Sequence, residues 1–135
     1  MKKPTAFTVV LLFAASLVLA STPALAHHSF GAEFDATKPI KLTGKVTKIE
    51  WTNPHAYLYL DVADEQTGKV ANWAVEMGSP ISLARLGWKR TSMKVDDVII
   101  VEGTLARYKD NLANARAVVL ASTGQKLGAA SSEPR

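Results

Sequence analysis

The chain has no cysteine among its 135 residues. That excludes a disulfide framework, a thiolate metal site and a cysteine nucleophile. Any metal site has to be built from histidine, carboxylate, methionine or an amino terminus. Histidine is itself scarce, since His27, His28 and His55 are the only three. Charge of one sign is not in excess either. The formal charge of +4 includes Lys2 and Lys3; without them 14 basic residues face 12 acids. That balance gives no reason to expect nucleic acid or another polyanion as partner. Only one long apolar run occurs, Phe7 to Leu19, and it is shorter than the roughly 20 residues that span a bilayer. No GxSxG motif, phosphate loop or acid pair in glycosidase context is present, so nothing argues for an enzyme. Ser29 beside His28 is no triad, because neighbours on an extended chain face apart.

What is present first is an export signal. Met1-Lys2-Lys3, the apolar run and the small-residue stretch from Ser21 to Ala26, ending in A-x-A, have the layout of a secretory signal peptide. Pro23 breaks the apolar helix before the cut and favours cleavage between Ala26 and His27 over a rival cut after Ala20. Cleavage after Ala26 leaves 109 of the 135 residues, enough for one small domain. The chain therefore reads as a signal peptide over 1–26, a β-barrel domain over 27–121 and a flexible Gly/Ala/Ser-rich tail over 122–135. The expected address is the periplasm, with no membrane attachment after cleavage.

Periodicity predicts five strands. Ile40 to Trp51 alternates until its apolar phase slips from Val46 to Ile49 and Trp51, which predicts a bulge or strong coil, with Gly44 easing tight bending. Thr52-Asn53-Pro54 is a turn. Ala56 to Ala63 and Val70 to Met77 form a hairpin around Asp64 to Lys69. Ser79-Pro80 opens a short helix that Gly87-Trp88 closes. Val98 to Tyr108 and Asn114 to Leu120 complete the set. Three strands, a short helix and two strands match an all-β fold: a five-stranded OB-type Greek-key barrel with one short helix between strands 3 and 4, after a cleaved signal helix.

The histidines carry the chemistry. An amino terminus has a pKa near 8, so it yields its proton to a metal readily. An N-terminal His27 binds through amine and ring together, and His55 supplies a third nitrogen. Three nitrogens in a T suit copper(II), with zinc second. His28, through the amine and its own amide, is the alternative ligand. Glu33, Asp35 and Glu50 are candidate extra ligands or orienting groups, with solvated surface charge as their default role. Met77 and Met93 offer thioethers but read as core. Glu76 and Glu102 are expected to pair with Arg85, Arg107 or Arg116. The expected role is a metal carrier or buffer. The alternative is a non-catalytic binding module for a peptide, glycan or partner protein, using Tyr57, Tyr59 and Trp73 as a ligand face.

The segments AHHSF at 26–30, GKVTKIEWTNPHAYLYLDV at 44–62 and NWAVEMGSP at 72–80 resemble a bacterial family of small exported proteins, classed as a domain of unknown function. Its mature chains open His-His-Ser-Phe and carry Asn-Pro-His-Ala, here at His27, His28 and Asn53-Pro54-His55. The resemblance implies an OB-like barrel and a periplasmic address, and no activity. Met77 departs from the small residue usual before Gly-Ser-Pro. By chemistry alone, the start is similar to copper carriers whose mature chains begin with His.

Overall fold

The computed structural model describes residues 30–133. The expected signal peptide and both His27 and His28 lie outside the described residues. The elements in order are α1 (Phe30–Glu33), β1 (Phe34–Glu50), β2 (Tyr57–Ala63), β3 (Val70–Glu76), α2 (Pro80–Arg85), β4 (Val98–Ala106), β5 (Leu112–Leu120) and β6 (Lys126–Gly128). The fold is mostly β, as the alternation predicts.

The strands form one sheet in the order β3-β2-β1-β4-β5-β6. Every neighbour in that order is antiparallel. One further pairing, β3 with β5, is parallel and joins Ala74, Val75 and Glu76 to Leu112, Ala113 and Asn114. Hydrogen bonding therefore runs in a closed cycle through β1, β2, β3, β5 and β4. The apolar faces meet inside it: Val46, Leu58, Leu60, Val75, Ile99, Val101 and Val118 are fully buried. Met77 and Met93 belong to the same cluster, as core packing rather than as exposed thioethers.

β1 contains the predicted bulge, between Val46 and Lys48. Thr47 is the extra residue, and its Oγ1 donates to Tyr59 O instead of joining the ladder. One inserted residue moves the inward positions from even to odd numbers, which is why Ile49 and Trp51 follow Val46 on the core side. The strand begins at Phe34 rather than at Ile40. Phe34 pairs with Ala106, and a second irregularity between Phe34 and Pro39 accommodates a residue that cannot donate to a ladder.

α2 is punctuated as its sequence predicts. Ser79 caps it, its Oγ accepting from Ser82 N at 3.3 Å, with Pro80 in the first turn. Gly87 adopts φ +93°, where a side chain would strain the backbone. Its N–H donates to Ala84 O and that of Trp88 to Leu83 O. This double bond pattern folds buried Trp88 back onto buried Leu83.

The expectation of a flexible tail from residue 122 is corrected. β6 pairs with β5, Ala129 is fully buried, and the Trp88 indole N–H donates to Gly128 O at 2.8 Å. Ala129 also exchanges backbone hydrogen bonds with Gly78 and Arg116. Small residues read as loose chain in isolation. Here the small residues lie directly against the backbone of β5 and of Gly78, just beyond β3.

The tightest backbone approach gives a test. A Cβ on Gly103 would lie 2.1 Å from Asn114 O. Gly103→Ala is expected to cost about 3 kcal/mol, because the obstacle is backbone and cannot rotate away. Gly31→Ala meets nothing within 4 Å and is expected to stay within about 0.5 kcal/mol of the parent. Urea unfolding of both variants decides this; equal midpoints would mean β4 and β5 do not approach this closely.

Candidate functional site

The site grows from the turn between β1 and β2. Trp51 anchors its start, edge-on to Trp88 with ring centroids 6.1 Å apart. Thr52 Oγ1 donates to His55 O at 2.8 Å, fixing the turn. Buried Ala56 exchanges backbone hydrogen bonds with Gly78 and Met77 at the end of β3. This clamp holds His55 beside β3. Its Nδ1 lies 3.1 Å from Met77 O and 3.2 Å from Glu76 Oε1.

Both of those neighbours are acceptors, so Nδ1 must carry the proton. In the neutral ring that assigns the lone pair to Nε2. A carboxylate or carbonyl on the far nitrogen is the usual means of orienting a ligating histidine.

Glu76 is the centre of the arrangement. It is 5 % exposed and sits between its two cross-strand neighbours, Tyr57 on β2 and Asn114 on β5. Tyr57 OH donates to Oε2 at 2.8 Å and Asn114 Nδ2 donates to Oε1 at 3.2 Å. A buried carboxylate persists only when its oxygens are so satisfied. Burial, then the hydrogen bond to Glu76 and the charges of Glu76 and Glu33, push the Tyr57 hydroxyl well above its ordinary pKa. It is a permanent donor at physiological pH.

His55, Tyr57 and Glu76 border a cavity of about 240 Å³, which Phe30, Glu33 and Ser132 also line. Distant parts of the chain thus converge on it, among them α1, the β1–β2 turn and the C-terminal segment. Glu33 lines the same cavity as His55. Asp35 and Glu50 are engaged elsewhere. Asp35 accepts from Thr37 and faces Arg107 and Lys38, all of which hold its carboxyl below the usual range. Glu50 is paired with Lys48 and accepts from Tyr59 OH, with the same effect. Among the described residues no group of three His, Asp or Glu is placed to hold a metal ion. Of the expected ligands His27, His28 and His55, only His55 lies among them.

Two pairings differ from expectation. Glu76 contacts no arginine in the network above; His55, Tyr57 and Asn114 surround it. Glu102 pairs first with Lys126 at 2.7 Å, a partner in the segment expected to fray, while the expected Arg116 acts on it only as a weaker, more distant charge. Nor do Tyr57, Tyr59 and Trp73 form one face. Opposed residues on paired strands share a side. Tyr57 and Tyr59 oppose Glu76 and Ala74, whereas Trp73 opposes Leu60 and packs against the core. The two tyrosine rings stand 6.4 Å apart, with both hydroxyls committed to carboxylates.

The role of Glu76 was readable from the hairpin. With Ala63 opposite Val70 across the Asp64–Lys69 loop, counting back brings Tyr57 opposite Glu76. Asn114 had no such signal, because its neighbour on β3 is 38 residues away.

Tyr57 also predicts a pH dependence. An unfolded tyrosine ionises near pH 10, whereas folded Tyr57 keeps its proton higher. Stability is full below about pH 10 and falls as pH rises from there toward the raised pKa of Tyr57, because the unfolded chain then binds fewer protons. Tyr57→Phe is expected to lose about 2 kcal/mol at neutral pH, by stripping a donor from a buried carboxylate, and to decline less steeply above about pH 10. Urea midpoints from about pH 8 to about pH 11 check both; equal slopes in the two proteins would contradict the raised pKa.

Comparison with known proteins adds membership but no activity. No curated protein matches the sequence. One family model covers residues 14–113, from before His27 to the start of β5. The span takes in the turn that carries His55 and the carboxylate that orients it. The chain belongs to that family, DUF6152, a family of unknown function.

Proposed function

We propose that this protein is exported, cleaved before His27, and binds one metal ion, copper first and zinc second, as a periplasmic carrier or buffer. The ligands are the amine and ring of His27 and the Nε2 of His55, with His28 as substitute or additional ligand. The role is non-catalytic. The body that presents them is an OB-type Greek-key barrel, a reading supported by the closed cycle of pairings and by α2 between β3 and β4.

One observation carries the reading. His55 Nδ1 is held by Met77 O and Glu76, which puts the lone pair on Nε2, and the ring borders a cavity whose wall includes Phe30. Phe30 is three residues after His27. Three residues of chain span at most about 11 Å. Metal–nitrogen bonds are about 2 Å long, so a joint site with His55 lies within covalent reach. Amine, ring and a second imidazole give the nitrogen set that copper(II) favours.

The test is the native intact mass of the protein recovered from the periplasm of cells grown with copper. The expected mass begins at His27 and carries one copper, lost in His55→Ala. A chain beginning at Ser21, or one beginning at His27 that stays metal-free in excess copper, would sink the proposal.

A further inference from the structure

We infer that the cavity beside His55 binds a small organic cation, a quaternary ammonium about the size of choline, with Glu33 as its counter-charge and Phe30, Phe34 and Tyr57 as its aromatic wall. The inference goes beyond the proposed metal reading. It concerns the same cavity but needs neither copper nor a particular first residue.

The wall favours one sign of charge. Glu33 and Glu76 line the cavity, and no lysine or arginine does so among the described residues. The two carboxylates differ. Glu76 is buried, and its oxygens already accept from Tyr57 OH and Asn114 Nδ2. Those donors are neutral, so they satisfy the oxygens without cancelling the charge. Half-buried Glu33 has no hydrogen bond or ion pair to its carboxylate among the described residues. After burial and the hydrogen bond to Glu76, the charges of Glu76 and then Glu33 help hold the proton on Tyr57, so both carboxylates act at this wall. The rest of the wall is largely apolar and aromatic. Phe30 and Phe34 are buried with ring centroids 5.4 Å apart, and Pro54 and Tyr57 stand with them.

These features fit an alkylated ammonium better than a primary one. A primary ammonium brings three donors that each need an acceptor, and Glu76 has its oxygens engaged. An alkylated head has no N–H to satisfy. It asks for negative potential and apolar contact, which aromatic rings and a nearby carboxylate supply together. The cavity of about 240 Å³ also exceeds the roughly 150 Å³ that takes benzene, so a ligand the size of choline has room. The wall is set in advance. Arg107 N–H donates to Glu33 O and its Nε donates to Gly31 O, both at 2.8 Å. Its guanidinium turns to Asp35, at 3.5 Å. Phe30 and Glu33 are thus held at the cavity before a ligand arrives, which lowers the ordering cost of binding.

The experiment is a titration of the processed, chelator-treated protein with choline chloride, followed by the backbone amide shifts of Glu33, Tyr57 and Glu76, with ionic strength matched by sodium chloride. Saturable shifts are expected, with a Kd on the order of 1 mM. The uncharged carbon isostere, in which a tert-butyl group replaces the trimethylammonium, keeps the shape and lacks the charge. It is expected to bind about tenfold more weakly. Glu33→Gln is expected to weaken choline about fivefold and to leave the isostere unchanged. If that variant does not fold, the comparison of choline with its isostere in the parent carries the test. Equal binding of the two, no saturable shift with choline, or choline binding that folded Glu33→Gln leaves intact overturns the inference. Shifts that appear only once the terminal amine is acetylated mean that the chain's own ammonium fills the cavity, and they overturn it too. Choline binding in a protein that takes no copper upholds it and removes the metal reading alone.

Discussion

The three-residue parallel pairing between β3 and β5 is the constraint on which the rest depends. It is short, running only from Ala74 to Glu76 against Leu112 to Asn114. Yet it joins two strands that no hairpin connects, with α2 and β4 intervening. Without it the sheet would have β3 as an open edge with its apolar face partly exposed. With it, the apolar faces of five strands enclose one core. The same contact brings Asn114 beside Glu76, so fold closure and site assembly happen at one place. The tight approach of Gly103 to Asn114 O on the other side of β5 shows how closely that strand is held.

Burying Glu76 there is unfavourable in itself. Removing a carboxylate from water costs several kcal/mol unless each oxygen finds a donor. Tyr57 and Asn114 donate directly, and His55 Nδ1–H lies within reach. A carboxylate in such a position contributes little net stability compared with an apolar residue of similar size, and losing any partner is expensive. What it confers is direction. It fixes which nitrogen of His55 holds the proton and which way the ring faces. The exposed ion pairs, such as Lys126 with Glu102 and Lys38 with Asp35, have no such consequence. Their charges are screened by solvent and each pair contributes little.

The C-terminal segment illustrates how composition misleads. Gly, Ala and Ser contribute little burial, so a stretch of them reads as chain that frays. In this protein small size is the requirement, because the segment lies against the backbone at Gly78 and Arg116. Its polar members then find acceptors and donors on β4 and β5: Ser131 with Asn114, Glu133 with Thr104 and Arg116. The aromatic residues mislead in the opposite sense. Tyr57, Tyr59 and Trp73 look like one surface when strands are read singly. Pairing separates them, because Trp73 faces Leu60 across the hairpin and turns inward with it.

What the sequence by itself determined is local. Alternation located five of the six strands, the slip after Val46 signalled the irregularity that the structure places at Thr47, and Ser79-Pro80 with Gly87-Trp88 located both ends of α2. Each of these signals is an interaction within a few residues, so the one-dimensional pattern contains it. His55 was legible as the candidate for the same reason, as a lone histidine at a turn. Tertiary structure decided the partners. That Glu76 orients His55, that Asn114 holds Glu76, and that Ser131 holds Asn114 depend on contacts 17 to 38 residues apart. Only the closing of β3 onto β5 and the docking of the C-terminal segment select those partners, because many polar residues share the same chemistry and only the backbone path says which of them meet.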